Sequence, residues 1–290
     1  MNNNALCWIN GRVVPAAEAT ISVMDHGLLY GDGIFEGLRF YHGQVFKLEE
    51  HLRRLSESAD HIKLKLPMSL TDIQSAIELL ISKFESNNGY LRLVVTRGPG
   101  TLGIDPHKCG EPVLFIVADQ ISVLAGNKGS SGIHMTVAKT LSVPAQSLNP
   151  EIKSLNYLNN ILARIEANAV NADEALMLNY QGNVCEGSVD NVFIINNNIV
   201  ITPPLSDGML AGITRQVILD ICAKNDIECQ TQSLKVEDVK SADECFLTGT
   251  GAELIAVASL DEHHFSPSNP MTLCLMTLFR RAIDVECLRK

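Results

Sequence analysis

The sequence runs to 290 residues, 46% hydrophobic and 19% charged, with a net charge of −10. That length and balance fit one or two globular domains with an ample core and exclude a disordered or fibrous chain. No run of Lys and Arg offsets the acidic balance, so nucleic acid and anionic membrane are excluded as expected partners. The longest apolar run, Val113 to Ala118, is far too short to cross a bilayer. The N-terminus lacks a basic stretch followed by an apolar one, so no signal peptide is expected. Eight cysteines lie scattered without a C-x-x-C pair. They read as reduced thiols of a cytoplasmic protein, with no zinc site, and His263-His264 reads as a solvated loop pair.

In chain order, Trp8 to Pro15 reads as a hairpin turning at Asn10-Gly11. Asp25 to Phe40 is a glycine-rich loop and strand, with Gly27, Gly31, Gly33 and Gly37 permitting close backbone approach. Lys47 to Ile62 is a helix with Leu48, Leu52, Leu55, Ala59 and Ile62 on one face. Arg53 and Arg54 both point away from that stripe, and helical phase does not choose between them. Thr71 to Ser86 is a second helix, and Tyr90 to Thr96 and Val113 to Ala118 are strands. Leu124 to Gly132 is linker-like in composition. It divides a small α/β domain, 1–123, from a large domain, 133–290.

Within the second span, Leu158, Ile161, Leu162, Ile165 and Ala169 recur at helical spacing and are expected to face a core. Lys153 precedes that helix and is expected at its entrance. Ala175 to Leu178 is a buried strand, and the return strand opens at Val184 and carries Glu186 among small and apolar residues. A carboxylate there is costly unless paired. Gly212 to Thr214 precedes a helix reaching about Asn225, and a helix N-terminus with free N–H groups suits an anion. Glu244 to Thr248 is a strand leading into Gly249-Thr250-Gly251, a turn able to form an anion nest. Met271 to Leu288 closes the chain as a helix.

A lysine and a carboxylate in one region meet the needs of pyridoxal phosphate chemistry. The lysine forms the Schiff base, and the carboxylate holds a proton on the ring nitrogen. Alone, each residue is most often a solvated side chain. Their contexts carry more. Glu186-Gly187-Ser188-Val189-Asp190-Asn191-Val192-Phe193, with Ile152-Lys153-Ser154-Leu155-Asn156, resembles the fold-type IV (class IV) aminotransferases. That family includes branched-chain aminotransferases, D-amino acid aminotransferases and aminodeoxychorismate lyases. The matches extend from about Trp8 to Val257.

The resemblance implies a two-domain α/β (α+β) fold of the D-amino acid aminotransferase type, a homodimer or higher homo-oligomer, and pyridoxal 5'-phosphate as cofactor. It implies Lys153 as the covalent anchor and general base and Glu186 as the ring-nitrogen partner. The family's His-x-x-Arg-Leu falls on His51, Arg54 and Leu55 and selects Arg54 for the cofactor phosphate, which a guanidinium can fork. Ile213 and Thr214 match the phosphate cup. Thr250 matches a second phosphate element and, with Gly251, donors to the substrate carboxylate. Phe35-Glu36-Gly37-Leu38-Arg39 is similar to the branched-chain version, in which Tyr30, Phe35, Gly37 and Arg39 match pocket-lining positions. Tyr90 and Arg92 match substrate-recognition positions. The Thr96 to Pro106 stretch is also similar to that subgroup, where this loop reaches the partner subunit's site. Tyr157 matches the partner of the cofactor's phenolic oxygen, although its spacing from Lys153 looks more like D-amino acid aminotransferases.

The expected reaction moves an amino group between branched-chain L-amino acids and 2-oxoglutarate. The alternatives on the same fold are a D-amino acid or (R)-amine transaminase and aminodeoxychorismate lyase. A non-catalytic small-molecule binding protein is the alternative of another class.

Overall fold

The computed structural model describes residues 4–120 and 132–288. Apart from Gly132, the linker expected at 124–132 lies outside the described residues. The chain divides into two compact units. The first comprises Met1–Ile121, Ile152–Asn156 and Val285–Lys290; the second comprises Ser122–Glu151 and Tyr157–Asp284. Lys153, which the sequence places in the span 133–290, groups with the first unit.

The first unit opens with β1 (Leu6–Ile9) and β2 (Arg12–Pro15). Asn10 and Gly11, at φ of 50° and 77°, turn the hairpin as their left-handed tolerance allows. Then come α1 (His26–Tyr30), β3 (Gly33–Tyr41), β4 (Gln44–Val45), α2 (Leu48–His61), α3 (Leu70–Lys83), β5 (Gly89–Thr96) and β6 (Val113–Asp119). The strands form one antiparallel sheet in the order β2-β1-β6-β5-β3-β4.

Strand alternation sorts this sheet into two faces. Ile34, Leu38 and Phe40 of β3, Leu91, Leu93 and Val95 of β5, and Leu114 and Ile116 of β6 point into the core. They meet Leu52, Leu55 and Ala59 of α2 and Ile73, Ile77 and Leu80 of α3, so α2 buries the stripe its spacing predicts and α3 buries a similar one. The opposite face carries Phe35, Gly37 and Arg39 of β3. In register, Val94, Arg92 and Tyr90 of β5 lie across from those three in turn.

The second unit contains β7 (Ile133–Val137), α4 (Leu158–Ala169), β8 (Glu174–Leu178), β9 (Val184–Gly187), β10 (Asn191–Asn196) and β11 (Ile199–Thr202). It continues with α5 (Ile213–Lys224), β12 (Cys229–Thr231), α6 (Val236–Lys240), β13 (Glu244–Gly249), β14 (Glu253–Leu260), β15 (His263–His264) and α7 (Pro270–Cys287), whose residues from Val285 group with the first unit. Its sheet runs β12-β11-β10-β13-β14-β7-β8-β9. A further pairing of β9 with β10, Glu186 opposite Asn191, closes β10, β13, β14, β7, β8 and β9 into a ring. His263-His264 is part of this sheet through β14 rather than a solvated loop pair.

One expectation fails in α4. Leu158, Ile161, Leu162 and Ile165 are 69%, 51%, 45% and 56% exposed, and Ala169 is exposed as well. The buried face is the alanine one: Ala163 and Ala167 lie against Ala138, Ala175 and Met177. Small side chains let the helix approach β7 and β8 closely, and this turns the larger aliphatic residues outward.

Candidate active site

In the first unit, Lys153 sits in an extended strap, not at a helix entrance. Ser154 bridges Ile34, the Phe35 N–H donates to the Lys153 carbonyl at 2.9 Å, and the Leu155 N–H donates to Gly33 at 2.9 Å. The Lys153 N–H donates to Ser58 Oγ of α2 at 3.2 Å. α4 begins five residues later, at Leu158. The Lys153 ammonium lies over the Phe35 ring, 4.7 Å from its centroid. Arg92 approaches the same ring at 4.4 Å and the Tyr90 ring at 5.8 Å. Both contacts lie within the range of cation–π attraction. Phe35, Gly37, Arg39, Tyr90 and Arg92 therefore share one sheet face. A Cβ at Gly37 would overlap the Tyr90 hydroxyl, so only glycine lets that ring lie where it does. Arg39 lies over Tyr41 at 5.2 Å. Tyr30 closes α1, and its hydroxyl accepts the Gly103 N–H at 2.9 Å.

Of the two arginines that helical phase left open, Arg53 is exposed beside Glu57, whereas Arg54 is buried. Its Nε donates to Glu36 Oε1 at 2.7 Å and its Nη2 to Oε2 at 2.9 Å. His51 Nδ1 meets the same Oε2 at 2.7 Å. Burial opposes the Glu36 charge, but the Arg54 cation and the hydrogen bonds from Arg54 and His51 outweigh it and hold the carboxyl at about 2. Burial lowers the His51 pKa, and the Arg54 and Lys153 cations add to that against the Glu36 contact. The ring is thus neutral near pH 7 and donates Nδ1–H to Glu36. Glu36, His51 as its brace, and Ser58 were not read from the sequence as site residues. The available signal was parity: Glu36 occupies a core-facing position between Ile34 and Leu38, where an acid demands a cation.

In the second unit, Glu186 of β9 lies half-buried, and the Leu210 N–H reaches its Oε2 at 3.3 Å. Gly212 caps α5 without a side-chain hydrogen bond, so Ile213 and Thr214 open the helix with backbone N–H groups. Asn191 supports this turn: its Nδ2 donates to the Leu210 carbonyl at 3.0 Å, and a Cβ at Gly212 would overlap its Oδ1. The neighbouring Asp190 stands against Gly249 in the same way. Thr250 and Gly251 occupy the turn between β13 and β14. Just before it, Thr248 Oγ1 is buried without a hydrogen-bond partner among the described residues. Tyr157 precedes α4, and its carbonyl accepts the Ile161 N–H at 2.9 Å.

Residues 33–260 match the family model for amino-transferase class IV. A Methanocaldococcus jannaschii protein, provisionally named a branched-chain-amino-acid aminotransferase, is 43% identical over 88% of this chain and 87% of its own. The D-alanine aminotransferase of Bacillus licheniformis is 30% identical over 96% of each chain. Among solved structures, the branched-chain aminotransferase of the archaeon Thermoproteus uzoniensis with norvaline matches at a TM-score of 0.90. It is 31% identical and covers 97% of this chain and 95% of that one.

Proposed function

The chain belongs to the class IV aminotransferases, and from that premise we propose that it moves an amino group between branched-chain L-amino acids and 2-oxoglutarate. The observation that carries this reading is the face shared by β3 and β5. Phe35 and Tyr90 offer apolar surface to an aliphatic side chain, while Arg92 and Arg39 offer cations to the second carboxylate of glutamate. One surface must serve both substrates in turn, and an arginine stacked on aromatic rings suits that double duty.

Class IV aminotransferases work with pyridoxal phosphate, and the residues present fit that group. α5 opens with N–H groups that no side chain caps, and Thr248 keeps a buried hydroxyl without a hydrogen-bond partner among the described residues. When bound, the cofactor accepts the electron pair released at the substrate Cα. Lys153 provides the amine for covalent attachment and, once released, carries the proton to and from Cα. Glu186 holds a proton on the ring nitrogen through a charge-assisted bond. Arg54, Ile213, Thr214 and Thr250 bind the phosphate. Thr250 and Gly251 donate N–H groups to the substrate carboxylate. Tyr157 hydrogen-bonds the phenolic oxygen.

We also propose a homodimer and a cytoplasmic setting. The outward stripe Leu158, Ile161, Leu162 and Ile165 is apolar surface that a second copy would cover, and none of the eight cysteines forms a disulfide among the described residues. Among the described residues, no helix is long and apolar enough to cross a membrane.

The test is an amino-donor panel with 2-oxoglutarate as acceptor. L-leucine, L-isoleucine and L-valine are expected to be the best donors. A preference for D-alanine would replace this reading with a D-amino acid transaminase, which the Lys153-to-Tyr157 spacing favours. Pyruvate released from aminodeoxychorismate would indicate a lyase.

A further inference from the structure

Glu36 has no part in the chemistry described so far, yet it is fully buried and ionised. Its position in β3 turns it away from the Phe35 and Gly37 face and into the core side, beneath α2. Each oxygen accepts from a different nitrogen of the Arg54 guanidinium, at 2.7 and 2.9 Å, in the paired geometry that fixes a guanidinium plane. His51, three residues before Arg54 and so on the same side of α2, completes the cluster by holding Oε2 at 2.7 Å. A buried carboxylate cancels much of an arginine's charge. It therefore does little to strengthen attraction for an anion. What it confers is direction, because an arginine side chain with several rotatable bonds is held in one pose by a rigid strand.

We propose that Glu36 is a positioning residue of the cofactor site: it sets the plane in which Arg54 meets the cofactor phosphate, with His51 bracing the carboxylate. The inference rests on Arg54 being a phosphate ligand. Arg54 lies on the buried side of α2 with His51 and Ser58, whereas its neighbour Arg53 is solvent-facing. The Lys153 strap also runs against Gly33 to Phe35, so one strand fixes both the strap's register and, one residue on, the arginine's pose.

The test compares pyridoxal phosphate with pyridoxal, which lacks the phosphate. Holoenzyme is prepared with each, and dissociation constants are taken from loss of the bound chromophore on dilution. Arg54→Ala is expected to weaken the phosphorylated form about a hundredfold and pyridoxal hardly at all. Glu36→Gln is expected to weaken pyridoxal phosphate about tenfold and leave pyridoxal within about twofold. The double variant is expected to be no worse than Arg54→Ala alone, since Glu36 acts through Arg54. Equal weakening of both compounds by Glu36→Gln, with a lowered Tm, would reduce Glu36 to a structural role and overturn the inference. Should Arg54→Ala lose the preference for phosphate while Glu36→Gln keeps it, the inference alone falls. Should Arg54→Ala itself keep the preference, Arg54 is not the phosphate ligand, and both readings fall. If Glu36→Gln does not fold, Glu36→Asp decides. It keeps the charge but withdraws it by one methylene, and an unchanged ratio of the two constants overturns the inference.

Discussion

The two units handle charge by opposite means. In the first, the charged groups are side-chain ends: Lys153 over Phe35, Arg92 over Phe35 and Tyr90, Arg54 locked to Glu36. In the second, the anion-ready elements are backbone: the uncapped start of α5 at Gly212 and the Gly249–Gly251 turn, each supported by a neighbour from the Asp190-Asn191 pair. Side-chain charge can be deleted by one substitution. Backbone N–H groups survive most substitutions and fail when the turn itself is displaced. Glu186 adds a side-chain carboxylate there, which the Leu210 N–H reaches.

That contrast predicts a ranking. Lys153→Ala is expected to abolish transamination and borohydride-trapped cofactor while leaving the fold intact. Trapping of the reduced cofactor on another lysine would break the assignment. Glu186→Gln is expected to lower turnover by about a hundredfold or more, with cofactor still bound. Near wild-type turnover would remove the carboxylate from the ring nitrogen.

Next comes Arg92→Ala, expected to cost about 1.5–3 kcal/mol toward 2-oxoglutarate or glutamate, roughly ten- to a hundredfold, and much less toward leucine. Equal losses for both substrates would make Arg92 structural and shift attention to Arg39.

Acid should reach the first unit through the same buried cluster. Glu36 binds its proton less readily folded, at about 2, than unfolded at about 4.3, and His51 is lowered from about 6.5. Folded protein thus binds fewer protons than unfolded. Stability is complete above about pH 6.5, starts to fall as the unfolded chain protonates His51, and falls further from about pH 4 toward pH 2. The Glu36 contribution is about 3 kcal/mol. Arg54 and Lys153 are the cations facing the cluster. A Tm profile in Glu36→Gln as steep below pH 4 as in the wild type would locate acid sensitivity elsewhere.

The smallest effect belongs to the second unit. Thr214→Ala removes a hydroxyl but no N–H, and cofactor affinity should change by about fivefold or less, one ordinary hydrogen bond. Gly212→Ala should do far more harm than Thr214→Ala, because its methyl must displace Asn191. If the order reverses, the threonine hydroxyl rather than the turn binds the anion.

The sequence showed much of this arrangement where the determinants are local. The hairpin at Asn10-Gly11 and the stripe of α2 follow from turn chemistry and from a period of 3.6, while the pairing that gives β3 and β5 a common face joins strands far apart in the chain. What it did not show depends on distant partners. α2 and α4 carry comparable apolar stripes, yet α2 buries its leucines and α4 exposes its own. Periodicity reveals a two-faced helix but does not say which face the nearest sheet takes, and in α4 the alanines won through closer approach. The Lys153 strap was invisible for a similar reason: its pairing partner, Ile34, lies more than a hundred residues earlier.

On the proposed reading of the β3–β5 face as the substrate wall, the packing of Tyr90 on Gly37 has a consequence for how substrate preference would drift. Alanine at 37, the smallest possible step, already evicts the tyrosine hydroxyl, so reshaping this wall begins with a loss. A smaller residue at 90 must come first, and only then is 37 open to change. A mutational library varying the two positions together should therefore recover altered donor preferences that libraries varying either one alone would miss.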